Sequence, residues 1–149
     1  MIRNESEYQE ALRRKAQDQD VAAGQRTAFV NAGFTPEEVE RGLEPLLSFQ
    51  AQLADEVIWY EKVCRREFAP VSNLAQVGRL LIALRVAGRL TQRELAERLG
   101  VSEAQISRDE RNEYHGITLE RAQRILDALR ARIEVRLEEP VLITHSRHP

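Results

Sequence analysis

A mainly helical fold is expected: a helical bundle, preceded by a helical N-terminal region and followed by a short C-terminal β-strand. Three observations predict it. Apolar residues recur at gaps of three and four through most of the chain, the period of one face of a helix. Ser, Thr or Asn repeatedly stands just before such a run, with Glu three residues on in several cases, which marks helix starts. Only after residue 132 does the period change to two, at Ile133, Val135 and Leu137.

The first helix starts behind Asn4, with Glu7 as its capping glutamate, and carries Tyr8, Ala11, Leu12 and Ala16 on one face. From Gln17 to Gly24 there is little apolar surface, so this stretch is expected to fray or to lean on another element before Phe29 and Val30. Gly33 and Phe34 make a stop. Thr35, Pro36 and Glu38 then combine an N-cap, a proline at the first helical position and a capping glutamate. Pro45 is expected to break or kink this second helix at about Gly42 to Glu44, leaving a long helix over about 45–67. On it Leu46, Phe49, Leu53, Val57, Tyr60 and Cys64 form a seam, and Ile58 and Trp59 a second apolar edge. Both edges suit either internal core or a dimer or partner interface. Cys64 is expected to be a small buried hydrophobe; as the only cysteine it excludes an internal disulfide and any multi-cysteine metal site.

Ala69, Pro70, Val71 and Ser72 mark the best boundary in the chain, with Ser72 as the next cap. The expected division is a helical dimerisation or partner-binding region over 1–70, a second helical unit over 71–131, and a strand and tail over 132–149. A helix over Asn73 to Ala87 turns Leu74, Val77, Leu81 and Leu84 inward and is closed by Gly88. Thr91 and Glu94 form a capping box for a short helix with Leu95, Ala96 and Leu99 on one face, and Gly100 ends it. Val101 plugs the corner and Ser102 caps the next helix, Glu103 to about Arg111, whose clear apolar anchor is Ile106. Most of its side chains are therefore free to touch something other than a core. Thr118 caps a last helix with Leu119, Ala122, Ile125, Leu126 and Leu129 inside. The alternation that follows fits a half-buried strand ended by Pro140, with Val141 to Thr144 as a second extended piece; a continued helix with an irregular tail is the alternative. A lone strand needs a neighbour, and the same strand of a second copy would serve.

The run TQRELAERLGVSEAQISRDER, residues 91–111, resembles the helix-turn-helix of the phage-repressor or Xre family, in residue type and in gap-free spacing. The resemblance implies a lambda-repressor-like bundle that places the helix after Ser102 in the major groove of double-stranded DNA. It implies that Gln92 anchors to phosphate from the start of the preceding helix and that Glu103, Ala104, Gln105 and Arg108 face bases, with Ser107 near the backbone. Arg108 can pair with guanine, Gln105 with adenine, and Ala104 can meet a thymine methyl. Glu103 can accept from cytosine, and stabilisation of the helix dipole explains it equally well. Arg111, Asn112, Tyr114 and His115 fall where the family loop follows the sugar-phosphate backbone. A buried pair between Arg85 and Glu110 is also implied. Two positions depart from the family pattern: Asp109 stands where an apolar residue is usual, and Asn112 where glycine is usual, as a residue that tolerates a left-handed conformation.

The segments IRNESEYQEALRR and LEPLLSFQAQLADEVIWYEKV are similar to the helical N-terminal region of HigA-like antitoxins. The expected function is a sequence-specific DNA-binding transcriptional regulator, a repressor acting as a homodimer. The alternative is an antitoxin whose N-terminal helices neutralise a ribonuclease toxin. Charge is split unevenly: residues 1–70 carry nine basic and thirteen acidic side chains, residues 71–149 thirteen and eleven. The second half is thus the better phosphate-facing part, and the acidic first half would suit a basic partner. No apolar run approaches the ~18 residues of a membrane span, and the start lacks the apolar core of a signal peptide, so a cytoplasmic protein without a membrane partner is expected. His115, His145 and His148 are not spaced as metal ligands, and no nucleophile elbow or phosphate loop occurs. Neither enzymatic activity, nor a cofactor, nor a metal is expected.

Overall fold

The computed structural model describes residues 1–136. Six α-helices follow one another: α1 (Glu5–Asn31), α2 (Pro36–Cys64), α3 (Val77–Ala87), α4 (Gln92–Leu99), α5 (Glu103–Arg111) and α6 (Leu119–Leu129), with one 3-10 turn at Leu74–Gln76. The first two form an antiparallel hairpin, each arm about 40 Å long. The last four form a bundle in which α3 packs on α6, and α4 on both α5 and α6, while α2 packs on α3.

Local chemistry sets the helix starts. Asn4 Oδ1 accepts from the amide of Glu7, and Thr35 and Glu38 close a full capping box ahead of Pro36. Between the arms, Gly33 takes a left-handed φ of 84°, and Phe34 N–H donates to the Phe29 carbonyl at 3.2 Å. This wraps the end of α1 and reverses the chain.

The hairpin departs from expectation at three points, while α1 takes the second of its two expected courses: it runs unbroken to Asn31 and leans on α2 through Gln17–Gly24, where Gln50 Nε2, for instance, donates to the Asp18 carbonyl at 2.6 Å. α2 likewise passes through Pro45 without a break. Pro45 and Arg41 are both exposed, so the Arg41 carbonyl that loses its partner faces water, and the buried Val39 and Leu43 hold the preceding turns in place. The buried face of α2 is Val39, Leu43, Val57, Tyr60 and Val63; of the expected seam Val57 and Tyr60 are buried and Leu46 and Leu53 half-buried, but Phe49 is exposed beneath the Arg14 guanidinium, 4.7 Å from its ring centroid. Cys64 is exposed at the end of α2, not buried. It lies one turn beyond Tyr60, where α2 stops.

One core joins the hairpin to the bundle. Ile2, Ala11, Val57, Tyr60 and Val63 belong to the same buried cluster as Leu81, Ile82, Leu95, Ile106, Ile125 and Leu126. Tyr8 stacks on Tyr60 with ring centroids 4.9 Å apart and donates its hydroxyl to Glu61 at 2.8 Å, and that hydrogen bond holds the Tyr8 phenol above its ordinary pKa.

In the bundle, the helix expected from Asn73 begins instead with the 3-10 turn, and Ser72 does not cap it: the Ser72 amide donates to Gln76 Oε1 at 3.2 Å. Leu74 is consequently exposed, and α3 buries Leu81, Ile82, Ala83, Arg85 and Val86. Gly88 closes α3 in a right-handed conformation, and Arg89 takes the left-handed turn, φ 54°. Thr118 caps α6 as expected, but Leu119, in the first turn, is 73% exposed. Residues 131–136 are irregular, with Ile133 and Val135 exposed, and there is no strand among the described residues. The rest of the expected strand, from Leu137, and the second extended piece, Val141 to Thr144, lie outside the described residues. Among the described residues no helix is long and apolar enough to cross a membrane.

Candidate nucleic-acid interface

The corner between α4 and α5 is built from short-range signals. Thr91 Oγ1 accepts from the Glu94 amide at 3.1 Å while Glu94 Oε2 accepts from the Thr91 amide at 2.7 Å, which holds the Glu94 carboxyl below the ordinary carboxylate range. Gly100 follows at φ 68°, left-handed, and the Val101 amide returns to the Ala96 carbonyl at 3.0 Å. Ser102 Oγ accepts from the Gln105 amide at 3.2 Å and starts α5.

α5 is pinned from one side. Ile106 and Glu110, one turn apart, are buried, and Glu110 meets Arg85 of α3 through two hydrogen bonds, Nε to Oε1 at 2.5 Å and Nη2 to Oε2 at 2.7 Å. The side chains are 3% and 0% exposed. Arg85 spends its other donors on two carbonyls, Leu90 at 2.7 Å and Arg3 at 3.2 Å. The guanidinium therefore ties together α3, the turn before α4, the end of α5 and the segment preceding α1. A charge this deep is tolerated because a carboxylate faces it and each guanidinium nitrogen has an acceptor.

The opposite side of α5 needs no core. Ala104, Arg108 and Arg111, at spacings of four and three, are exposed and share a face, with Glu103 exposed and Ser107 half-buried beside it. Gln105 is placed otherwise than beside Arg108. It is half-buried on the flank turned to α6, in a cleft of about 230 Å³ lined also by Leu99, Val101, Arg121, Arg124 and Ile125. Gln92, at the first position of α4, donates its side-chain amide to Glu110 Oε2 at 2.7 Å. That leaves its backbone N–H, at the positive end of α4, and its side-chain oxygen for a ligand.

The residues after α5 divide. Arg111, Asn112 and His115 are exposed, whereas Tyr114 is 5% exposed and packs in the core, so it is not the surface side chain expected. The reason is a tight loop in which Glu113 and Tyr114 both adopt left-handed φ, 49° and 52°, with Asn112 at −90° ending the helix in an ordinary conformation. The left-handed role expected of Asn112 thus falls to its two successors, and this turns the phenol inward. The Tyr114 hydroxyl is buried without a hydrogen-bond partner, and burial pushes its pKa up.

Asp109, the unexplained position, is held by Arg121 of α6 through a hydrogen-bonded ion pair. A charged pair replaces the expected apolar contact between those helices.

Sequence reasoning missed three contributors to this surface. Gly78 on α3 is obligatory, because a Cβ there would sit 1.9 Å from the Glu113 carbonyl oxygen; an isolated glycine within a helical pattern was the available signal. Arg89 beside the start of α4 has no ion-pair partner among the described residues, and its left-handed φ has no signature in an arginine. The Arg3 carbonyl contact to Arg85 joins residues too distant in sequence to be foreseen.

No curated protein and no solved structure matches the chain. A family model does: residues 81–135 match that described as Helix-turn-helix. The match opens inside α3, passes through the α4–α5 corner and its exposed outer face, and runs beyond α6, so this segment is a helix-turn-helix DNA-binding unit of the Xre or lambda-repressor-like kind.

Proposed function

We propose that the protein is a sequence-specific, double-stranded-DNA-binding transcription regulator that acts as a repressor, as a homodimer, with α5 in the major groove. The observation that carries this reading is the division of α5. Ile106 and Glu110 lock one side at near-zero exposure, while Ala104, Arg108 and Arg111 on the other are exposed and their side chains make no hydrogen bond or ion pair among the described residues. A surface helix kept rigid from behind with an uncommitted basic outer face is what base reading requires. Arg108 is assigned to guanine, Ala104 to a thymine methyl, and Gln105 to the groove edge on the α6 side. Ser102, Glu103 and Ser107 border them. Gln92, through its backbone amide, with Arg111 and Asn112, contacts the sugar-phosphate backbones.

The homodimer is supported by the size of a single reading module. One module of this kind covers about 600–1,000 Å² of DNA-facing surface, and two copies on half-sites about one helical turn, ~34 Å, apart would bring the contact to the size of a full operator complex. Footprinting on the promoter of the protein's own gene, at two salt concentrations, tests this. Arg108→Ala should weaken binding and relax one base preference, worth about 1–3 kcal/mol, whereas Arg111→Ala should weaken all sequences alike and lower the salt slope by about 1. Equal binding of all duplexes by the unaltered protein would refute base reading.

A second reading, an antitoxin that holds a basic toxin, is favoured by the hairpin. Its acidic excess is joined by exposed apolar side chains, Val30 and Phe34 near the hairpin's tip and Val21 farther down α1, each about half exposed. Co-purification with the product of the neighbouring reading frame, abolished by Phe34→Asp, would support it.

A further inference from the structure

The contacts proposed above leave one charged pair without a role. Asp109 lies on the side of α5 turned toward α6, and Arg121 of α6 donates to it through Nη2 across the seam between the helices. The pair is only partly covered, with side chains 25% and 39% exposed. Arg121 lines both clefts bordering that seam, one of about 230 Å³ beside Gln105 and Arg124, and one of about 150 Å³ beside Asn112, His115 and Thr118. It therefore stands between the flank of the recognition helix and the loop at its end. Its Nε and Nη1 have no protein partner among the described residues.

A helix lying in the major groove has a sugar-phosphate backbone on each side. On one side of α5, Glu103 shares a groove with Thr91 and Gln92 of α4, whose start supplies the phosphate anchor. The other side is the α5–α6 seam. There a guanidinium with donors to spare is held in one orientation by a carboxylate on the recognition helix itself.

We propose that Arg121 is a phosphate ligand for DNA on the α6 side of the recognition helix, and that Asp109 is the positioning residue that aims it. The proposal rests on the reading of α5 as the recognition helix. Asp109 also cancels most of the charge of Arg121, so the contact contributes register more than counterion release. Removing the carboxylate charge while keeping the arginine exposes a full cation to the phosphate.

The test uses the full-length protein and a duplex recovered by repeated binding selection from a random-sequence library. Each phosphate of that duplex is replaced in turn by a neutral methylphosphonate. One position bordering the major groove should weaken the unaltered protein about tenfold, the size of one charged hydrogen bond, and Arg121→Gln less than about twofold. With Asp109→Asn the guanidinium carries its full charge but loses its aim: the slope of log K against log salt should steepen by about 0.9, while the penalty at that one phosphate should shrink and spread to its neighbours. A methylphosphonate profile of Arg121→Gln identical to that of the unaltered protein would overturn the ligand; an unchanged slope and penalty in Asp109→Asn would overturn the positioning role. Should Arg121→Gln not fold, Asp109→Asn carries the test by itself. Arg108→Ala separates the two levels of inference. If no duplex is selected, or Arg108→Ala binds it unimpaired, the DNA-reading assignment fails and this one with it. If Arg108→Ala is impaired while the Arg121→Gln profile is unaltered, only the present assignment fails.

Discussion

Replacing Glu110 by Gln should unfold this protein far more readily than its chemical conservatism suggests. The Arg85 side chain is 3% exposed and directs its donors at two carboxylate oxygens, the Leu90 carbonyl and the Arg3 carbonyl. With glutamine at 110 the cation keeps the carbonyls, loses its one ion-pair partner among the described residues and faces an NH₂ group where an acceptor stood. Gln92, which donates to the same carboxylate, loses its acceptor as well. Breaking one side of a buried pair costs about 3–5 kcal/mol. With a urea dependence of about 2 kcal/mol per molar for a domain of this size, the unfolding midpoint should fall by about 2 M. The double variant Arg85→Met, Glu110→Leu should lose less than the two single changes added together, since no uncompensated charge remains. Equilibrium urea unfolding followed by circular dichroism measures all five proteins, the unaltered one, Glu110→Gln, Arg85→Met, Glu110→Leu and the double variant. A midpoint for Glu110→Gln within about 0.3 M of the unaltered protein would refute the argument, because it would mean that water reaches the guanidinium.

Three further outcomes are expected. Gly78→Ala should destabilise by about 3 kcal/mol or prevent folding, since the added methyl meets the Glu113 carbonyl and not a side chain that can swing away; thermal unfolding reads this directly. Tyr114→Phe should stabilise, because the buried hydroxyl has no partner; removing a penalty of about 1 kcal/mol should raise Tm by about 4 °C, and a fall in Tm would show that the hydroxyl is hydrogen-bonded in solution. Pro45→Ala should restore the helical donor to the Arg41 carbonyl and stabilise by about 1 kcal/mol or more, measured as a higher urea midpoint.

What the chain declares about itself is mostly local. The caps at Asn4, Thr35, Thr91, Ser102 and Thr118 all form, because a cap and its target amide lie within three residues and need no tertiary context. The Arg85 and Glu110 pair was reached through resemblance, and the structure bears it out. Apart from Ser72, whose amide is taken by Gln76, and the loop after Asn112, what failed depended on neighbours far along the chain. Periodicity placed Leu74, Leu119 and Cys64 inside, yet each sits at or beyond the end of an element, where a continuing face has nothing left to pack against. Propensity predicts a break at Pro45 because it ignores that Val39 and Leu43 are buried on the turns before it. Tyr114 falls on the expected surface because a polar loop gives no sign that two successive left-handed residues turn an aromatic ring inward. The partner of Asp109 lies twelve residues on, in another helix, and a sequence with thirteen arginines after residue 70 does not say which one it is.

The contact between Gly78 and the loop at Glu113 and Tyr114 sets a fixed gauge. That loop carries Asn112 and His115 at one end of the DNA-facing surface, and it abuts the backbone of α3 through atoms already at van der Waals limits. At the other end, the start of α4 is tied to α3 through Arg85 and Leu90. The separation between the two ends is therefore set by contacts that cannot be compressed. In the proposed complex the protein is the stiff partner, and a duplex whose groove width differs from that gauge must deform to fit. Base steps that deform cheaply would be selected at positions no side chain touches.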